Sequence, residues 1–419
     1  MHVCVLGAGV VGLTTAWSLA RDGHDVTIVE ARDGAALEAS FANGGQLSYS
    51  YVAPLADPAV LPKLPAWLLK RDSALRFIPR FDIGQWRWCI AFLLACRGHR
   101  ARRTALELLS LGALSKAALH EIVESEPLVS DSFDYVRNGK LVVYRDAHEF
   151  ERARRKMELL VEAGSDQRAL DASQCAALEP ALARAQPLLA GGIHTPSEEA
   201  GDCQRFSAAL ADVLQRRNGV TVRYETHVRE LVSEGSRIVA ARTDDGDLEA
   251  DAFVVALGLG SVPLLGALDV RLPVYPLTGY SLTIHDADPR HTPRVSVTDL
   301  HRKVVYAPLG GRLRIAGMVE IAGLKDAQRE GRIALLKRHA QEIFPAAGDY
   351  ASAQTWCGHR PATPDSKPLI GRTPYRNLWL NTGHGALGFT LACGSARVIA
   401  DAIAGREPSI DMAAYAYDR

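Results

Sequence analysis

His2-Val-Cys-Val-Leu6 runs directly into Gly7-Ala8-Gly9-Val10-Val11-Gly12, and Leu13-Thr-Thr-Ala-Trp-Ser-Leu-Ala-Arg21 follows. The apolar pentapeptide reads as a buried strand, and the segment after the glycines has helical character. In the order strand, glycine turn, helix, each glycine has a task. Gly7 permits the tight turn, Gly9 lets a phosphate approach the backbone, and Gly12 lets the helix close on its own strand, so that N–H groups and the helix dipole face a pyrophosphate. A bare G-x-G-x-x-G occurs often by chance, and the next segment adds weight. After Gly23, a helix stop, Asp25-Val-Thr-Ile-Val29 is a second strand ending on Glu30, where a ribose hydroxyl needs an acceptor. An acid there fits the unphosphorylated ribose of FAD or NAD, not NADP. The alternative is a glycine turn and a surface glutamate with no ligand.

Further along, Asp251-Ala-Phe-Val-Val-Ala-Leu-Gly258 is an apolar strand running into a glycine, just after a two-stranded ribbon (Arg237 to Arg242, a turn at Asp244-Asp-Gly246, then Leu248 to Ala250). Near the C-terminus, Leu378-Trp-Leu-Asn-Thr-Gly383-His384-Gly385-Ala386-Leu387-Gly388-Phe389-Thr390 opens another strand, glycine turn and helix, continuing to Gly394. A second helix N-terminus could stabilise negative charge on a reduced flavin ring, which favours FAD over NAD.

The chain has 419 residues, a prior of two or three domains, and its 47% hydrophobic content suits a soluble globular protein. Forty-eight basic and 48 acidic side chains cancel, so general attraction to nucleic acid is not expected. The seven cysteines are scattered with no C-x-x-C pair, which indicates free thiols, a reducing compartment and no metal site. The strand pattern begins at once, so Met1 is the expected start of the mature protein. The apolar run Trp86 to Cys96 is too short to span a membrane.

With these residues in view, the sequence resembles the glycine oxidase and D-amino acid oxidase superfamily of flavoenzymes, and within it the bacterial D-amino acid dehydrogenase small subunits. The resemblance runs nearly end to end. It rests on the Gly7 to Gly12 turn, Ala36 to Ser48, Glu199-Ala-Gly-Asp202-Cys-Gln204, Val274 to Thr283, Gly358-His-Arg360-Pro-Ala-Thr-Pro-Asp365, and Asn377 to Gly394. It implies an α/β protein: a Rossmann-like, discontinuous FAD-binding domain (1–55, 200–262 and 356–419) and a substrate domain of antiparallel sheet plus helices (56–199 and 263–355).

The resemblance also implies the site. Arg360 would grip a substrate carboxylate through two parallel charge-assisted hydrogen bonds, the alternative being a structural ion pair with Asp365. Tyr51, Tyr280 and Tyr306 would supply further substrate contacts, and Glu320 would hold an ammonium or face solvent. FAD contacts would come from Gly7, Ala8, Gly9, Val10, Val11 and Gly12; Glu30, Ala31 and Arg32; Ser40; Asn43, Gly44, Gly45, Gln46 and Leu47; Val228; Gly258; Arg360; and Gly383, His384, Gly385, Ala386, Leu387, Gly388, Phe389 and Thr390. His384 would act through its backbone, with a catalytic-base role for its ring as the alternative. No cysteine besides Cys357 is placed for covalent attachment, so the flavin is expected to be non-covalent.

The activity so implied is oxidative deamination of D-amino acids to 2-oxo acids and ammonia by hydride transfer to the flavin, with electrons passed to a non-oxygen acceptor such as the quinone pool. Alternatives are a D-hydroxyproline dehydrogenase, a glycine-type oxidase using oxygen, or an FAD-holding subunit that does not turn over. A cytoplasmic location is expected. Aromatics interleaved with basic residues over Leu61 to Arg103 raise peripheral contact with the inner face of the cell membrane, against the plainer reading of amphipathic helices packed with their charges outward.

Overall fold

The computed structural model describes residues 1–50, 52, 54–64, 73–162, 165–324 and 329–419. Its first sheet has the order Leu369–Arg372, Leu378–Thr382, Ala252–Val255, His2–Leu6, Asp25–Val29, Val220–Arg223. All neighbours are parallel except the antiparallel edge strand Leu369–Arg372. The apolar runs of the central strands follow from cover on both faces. Val3 and Val5 point into a core with Leu13 and Trp17 of helix Val10–Arg21, Phe206 and Leu210 of helix Cys203–Gln215, and Leu391 and Val398 of helix Gly388–Ile403. Cys4 and Leu6 alternate to the other face, where they meet Leu231 and Ile238 of an antiparallel ribbon (Val228–Glu234, Arg237–Thr243, Gly246–Glu249).

The second sheet has nine strands. Eight follow the order Gln354–Ala362, Tyr275–Ile284, Arg312–Ile321, Val304–Leu309, Ser296–Asp299, Lys140–Tyr144, Gly191–Thr195, Arg168–Leu170, and Leu75–Phe77 pairs with the end of Arg312–Ile321. Most pairings are antiparallel. Helix Arg329–Ile343 covers the back of this sheet through Leu336 and Ala340, which pack with Tyr280, Leu282, Tyr306 and Ile315. The front meets the loop that leaves the first sheet: Ser281 Oγ donates to the Ala42 carbonyl at 2.8 Å, Arg314 Nη1 to the Asn43 carbonyl at 3.0 Å, and Gln46 Nε2 to the Val297 carbonyl at 3.1 Å.

The structure differs from the sequence reading in three places. Gln354–Ala362, expected with the cofactor segment 356–419, pairs along its whole length with Tyr275–Ile284 and is an edge of the nine-stranded sheet. Helix Gly98–Ser125, expected in the substrate segment 56–199, packs instead against the parallel-sheet helices through Leu108, Leu111, Leu119 and Ile122. Gly394 allows that close approach, since a Cβ there would lie 2.9 Å from the Leu111 carbonyl oxygen. Helix Ile83–Ala95 does not turn a charged face outward: Trp88 and Phe92 are buried, while Ile83, Trp86, Ile90, Leu93 and Leu94 are exposed beside Arg87. Trp67 to Arg71 lie outside the described residues.

The first helix sits tightly on its strand, because a Cβ on Gly12 would be 1.9 Å from the Gly7 carbonyl oxygen. Backbone cannot yield as a side chain can, so Gly12→Ala should cost on the order of 3 kcal/mol and lower the thermal midpoint by several degrees. An unchanged midpoint would mean that the helix does not close on the strand at Gly12.

Candidate active site

Strands His2–Leu6 and Leu378–Thr382 both flank Ala252–Val255 and run in the same direction. The turns that follow them therefore open at one edge of the sheet, about 10 Å apart by strand spacing. Gly7 is left-handed (φ +107°), and a Cβ there would meet the Ala256 carbonyl at 2.8 Å. Helix Val10–Arg21 starts from Gly9 with no side-chain cap and no acidic residue in its first turn. Ser40 Oγ accepts from Val10 N–H at 3.2 Å. The Glu30 carboxylate accepts from Ala8 N–H at 2.8 Å and Arg32 N–H at 3.0 Å, and Arg32 pairs with Glu38. Ala31 follows on the exposed chain.

The second corner is built alike. Gly383 and Gly385 have φ of +76° and +56°, and helix Gly388–Ile403 begins after Leu387, again without a side-chain cap or an acid in the first turn. Between the corners lies Gly258 (φ +57°), whose carbonyl accepts from Thr382 Oγ1 at 3.2 Å. The loop Asn43 to Leu47 reaches the second corner where Thr390 Oγ1 donates to the Gln46 carbonyl at 3.4 Å. Val228 arrives at the other end because Thr226 N–H donates to the Glu30 carbonyl at 2.9 Å, and Val228 packs in the cluster that contains Val29. The ring of Phe389 is buried against Phe206, so only its backbone faces the edge. These positions suit a dinucleotide: two helix N-termini whose own N-cap residues leave them open to negative charge, glycines where a side chain would intrude, and a carboxylate at the end of the second strand.

Arg360 stands close to the second corner, two residues before Ala362, which bridges to His384. It is on the front of the nine-stranded sheet, paired with Leu277, and its guanidinium lies over Gly279, where a Cβ would be 2.2 Å from Nη2. Nη1 donates to the Met318 carbonyl at 3.2 Å. The ion pair with Asp365 does not form: Asp365 binds Arg419 at 2.9 Å and Lys367 at 3.8 Å. No carboxylate among the described residues forms a salt bridge with Arg360. Burial lowers the guanidinium pKa from its ordinary value, and the side chain stays partly open to an incoming carboxylate.

Other expected substrate contacts turn away. Pairing alternation places Tyr280 and Glu320 on the back of the sheet, opposite Arg360, where the Tyr280 hydroxyl donates to Glu320 at 2.5 Å. Glu320 is fully buried and neither faces solvent nor reaches the Arg360 face; Arg332 Nε lies 3.2 Å away and Arg76 Nη1 3.6 Å. Tyr306 is also fully buried on the back, with its ring against Phe344. A half-apolar strand accommodates tyrosine on either face, which is why strand membership alone misled. Cys357 shares the back face with Tyr280, away from Arg360. Tyr51 lies outside the described residues.

His384 is buried, and its Nε2 meets Ser395 Oγ at 3.0 Å within the adjoining helix. Burial pushes its pKa down to about 3, so the ring is a neutral structural group. Sequence reasoning missed Lys140. Its ammonium is buried and donates to Ser48 Oγ at 2.8 Å, burial pulling its pKa down to about 8, while nearby Glu198 accepts from the backbone of Tyr49 and Ser50 at 2.7 Å each. Together they hold the segment just before Tyr51. A single lysine in a strand carries no signal for this. Among the described residues, no group of three His, Cys, Asp or Glu side chains could hold a metal.

Comparison with known proteins identifies the family and the fold. The family model described as FAD dependent oxidoreductase matches residues 2–402. The chain is 49% identical to the D-amino acid dehydrogenase 2 of Pseudomonas aeruginosa over 98% of this chain and 96% of the relative, and 45% identical to that of Ralstonia nicotianae over all of both. Among solved structures, glycine oxidase from Geobacillus kaustophilus has a TM-score of 0.79 at 22% identity, covering 100% of this chain and 98% of that one. L-proline dehydrogenase from P. horikoshii has a TM-score of 0.76 at 16% identity, covering 99% and 96%. At such identities these structures support the fold alone.

A buried histidine with a lowered pKa makes stability depend on pH in one direction. Below pH 6.5 the unfolded chain takes up a proton that folded His384 refuses, so stability falls as the pH falls toward 3. By pH 4.5 the loss from this one group is about 2–3 kcal/mol. His384→Asn should flatten the acid limb of thermal midpoint against pH by that amount, and an identical limb would remove His384 as its source.

Proposed function

The chain belongs to the family of FAD-dependent oxidoreductases, and from that premise we propose that it oxidises D-amino acids to 2-oxo acids and ammonia, delivering electrons to an acceptor other than oxygen. The names of its relatives support the substrate class. The observation that carries the reading is Arg360, a partly buried guanidinium on the front of the sheet with no carboxylate salt bridge among the described residues. Such a group is the natural receptor for an amino acid carboxylate.

In this reading the edge formed by the two corners would hold FAD. The Gly7 to Gly12 turn would take the pyrophosphate, Glu30 the adenosine ribose and the Val228 backbone the adenine. Ser40, Asn43 to Leu47, Gly258 and Gly383 to Thr390 surround the remainder. When bound, FAD supplies a two-electron acceptor for the α-hydrogen of the substrate. The protein's contribution is to hold and orient. Arg360 would fix the carboxylate side-on and so set the direction of the α C–H bond, and the Gly383 to Thr390 helix start would favour negative charge beside it. With His384 tied to Ser395 and neutral, no side-chain base is required of that corner. The substrate nitrogen need only bind unprotonated, and hydrolysis of the imino acid proceeds in water.

We also propose that the acceptor is a membrane quinone reached by peripheral contact at the inner face of the cell membrane. Support comes from helix Ile83–Ala95, which is apolar on its outer as well as its inner side. Exposed Trp86 and Ile90, with Phe81 just before the helix and Arg87 within it, suit a bilayer interface that is apolar below and anionic above.

Anaerobic addition of D-amino acids to the yellow protein should bleach the flavin absorbance, and L-enantiomers should not; no bleaching by any D-amino acid would contradict the reading. Arg360→Ala should retain FAD while kcat/KM falls by about 30- to 1000-fold, as expected for loss of a desolvated two-point ion pair. Unchanged kinetics would take Arg360 out of the site. For the membrane, Trp86→Glu with Ile90→Glu should abolish co-sedimentation with anionic vesicles and leave turnover with a soluble dye intact, whereas equal sedimentation of variant and wild type would contradict the contact.

A further inference from the structure

Arg312–Ile321 does not pair evenly with Tyr275–Ile284. Thr278 opposes Glu320, yet Tyr280 opposes Gly317, so the former strand carries one extra residue and bulges between them. Met318, in the bulge, is left-handed with φ +61°. A methionine keeps that conformation only where its surroundings dictate it. The bulge has a visible result: the Met318 carbonyl faces the front and accepts from Arg360 Nη1 at 3.2 Å.

Behind the sheet, the bulge is backed by a cluster of polar contacts. Glu320 receives the Tyr280 hydroxyl at 2.5 Å on Oε2, while its Oε1 has Arg332 Nε at 3.2 Å and Arg76 Nη1 at 3.6 Å. Arg332 also donates to the Ser73 carbonyl at 2.9 Å, and Val319 N–H, beside the bulge, donates to the Ala74 carbonyl at 2.9 Å. The cluster thus ties three elements to the bulge: the strand bearing Tyr280, helix Arg329–Ile343, and the segment Ser73 to Arg76. On the front, Gly279 leaves the space in which the guanidinium lies flat.

We propose that Tyr280 and Glu320 are positioning residues: from behind the sheet they lock the Met318 bulge, whose carbonyl holds one end of the Arg360 guanidinium and sets its angle toward the substrate carboxylate. This rests on the reading of Arg360 as the carboxylate receptor. The phenol of Tyr280 stays protonated, since burial and the hydrogen bond to Glu320 both push its pKa up, so it is a dependable donor.

The test uses the full FAD-loaded protein as wild type, Tyr280→Phe, Arg360→Lys and the double variant, with Glu320→Gln as a second probe of the cluster. Benzoate binding, followed by flavin absorbance, reports the carboxylate grip without turnover, and KM and kcat are measured with D-alanine. Tyr280→Phe should weaken benzoate and raise KM by about fivefold with kcat within about twofold, the scale of one hydrogen bond acting through another group. In the Arg360→Lys background the same change should alter benzoate binding by less than about twofold, because the group it positions is gone. Glu320→Gln should behave as Tyr280→Phe does. An unchanged benzoate affinity in both cluster variants, or an equal loss in both Arg360 and Lys backgrounds, would overturn the proposal. If instead Arg360→Lys binds benzoate as wild type does, the receptor reading itself fails and takes this inference with it.

Discussion

One strand, Ala252–Val255, stands between the two strands that feed the glycine corners, and parallel pairing on both its sides makes both corners open at one edge. The proposed dinucleotide site follows from that constraint. A helix N-terminus is a weak anion site by itself. Two of them at one sheet edge, neither capped by its own N-cap residue, would provide poles for the ends of a long dinucleotide. The nine-stranded sheet adds what the edge lacks, a cation on its front face, and the hydrogen bonds from Ser281, Arg314 and Gln46 fix that face against the loop 42–48.

Much of the parallel sheet was legible from residues 2–30 because its signals are local. A glycine run after an apolar strand restricts the backbone within a few residues, and Glu30 falls at the end of the next strand by simple counting. The C-terminal corner was legible for the same reason. The Arg360 motif was found through resemblance, but its setting was not. That Arg360 belongs to the second sheet depends on nine residues pairing with a strand some 80 positions earlier, and nothing in the sequence around Gly358 reports a distant partner.

The misplaced residues show where such reading stops. Tyr280 and Glu320 lie on the expected strands, yet which face a side chain takes depends on register, and here a bulge shifts it by one. Tyr306 sits in regular pairing with Ile315 and Val297 and is on the back by alternation alone. The outer face of helix Ile83–Ala95 was misjudged because the basic residues scattered over 61–103 suggested a polar side, whereas the helix itself carries one basic residue, Arg87, beside exposed Trp86, Ile90 and Leu94. Lys140 could not have been found at all, since its burial against Ser48 arises from contact between segments 92 residues apart.

The most direct measurement of the central claim is a crystal structure of the FAD-loaded protein with benzoate. The account predicts the pyrophosphate on the Gly9 to Gly12 turn, the flavin ring beside the Gly385 to Gly388 helix start, and the benzoate carboxylate side-on to Arg360. A dinucleotide that touches only one of the two corners, or a carboxylate bound away from Arg360, would contradict it.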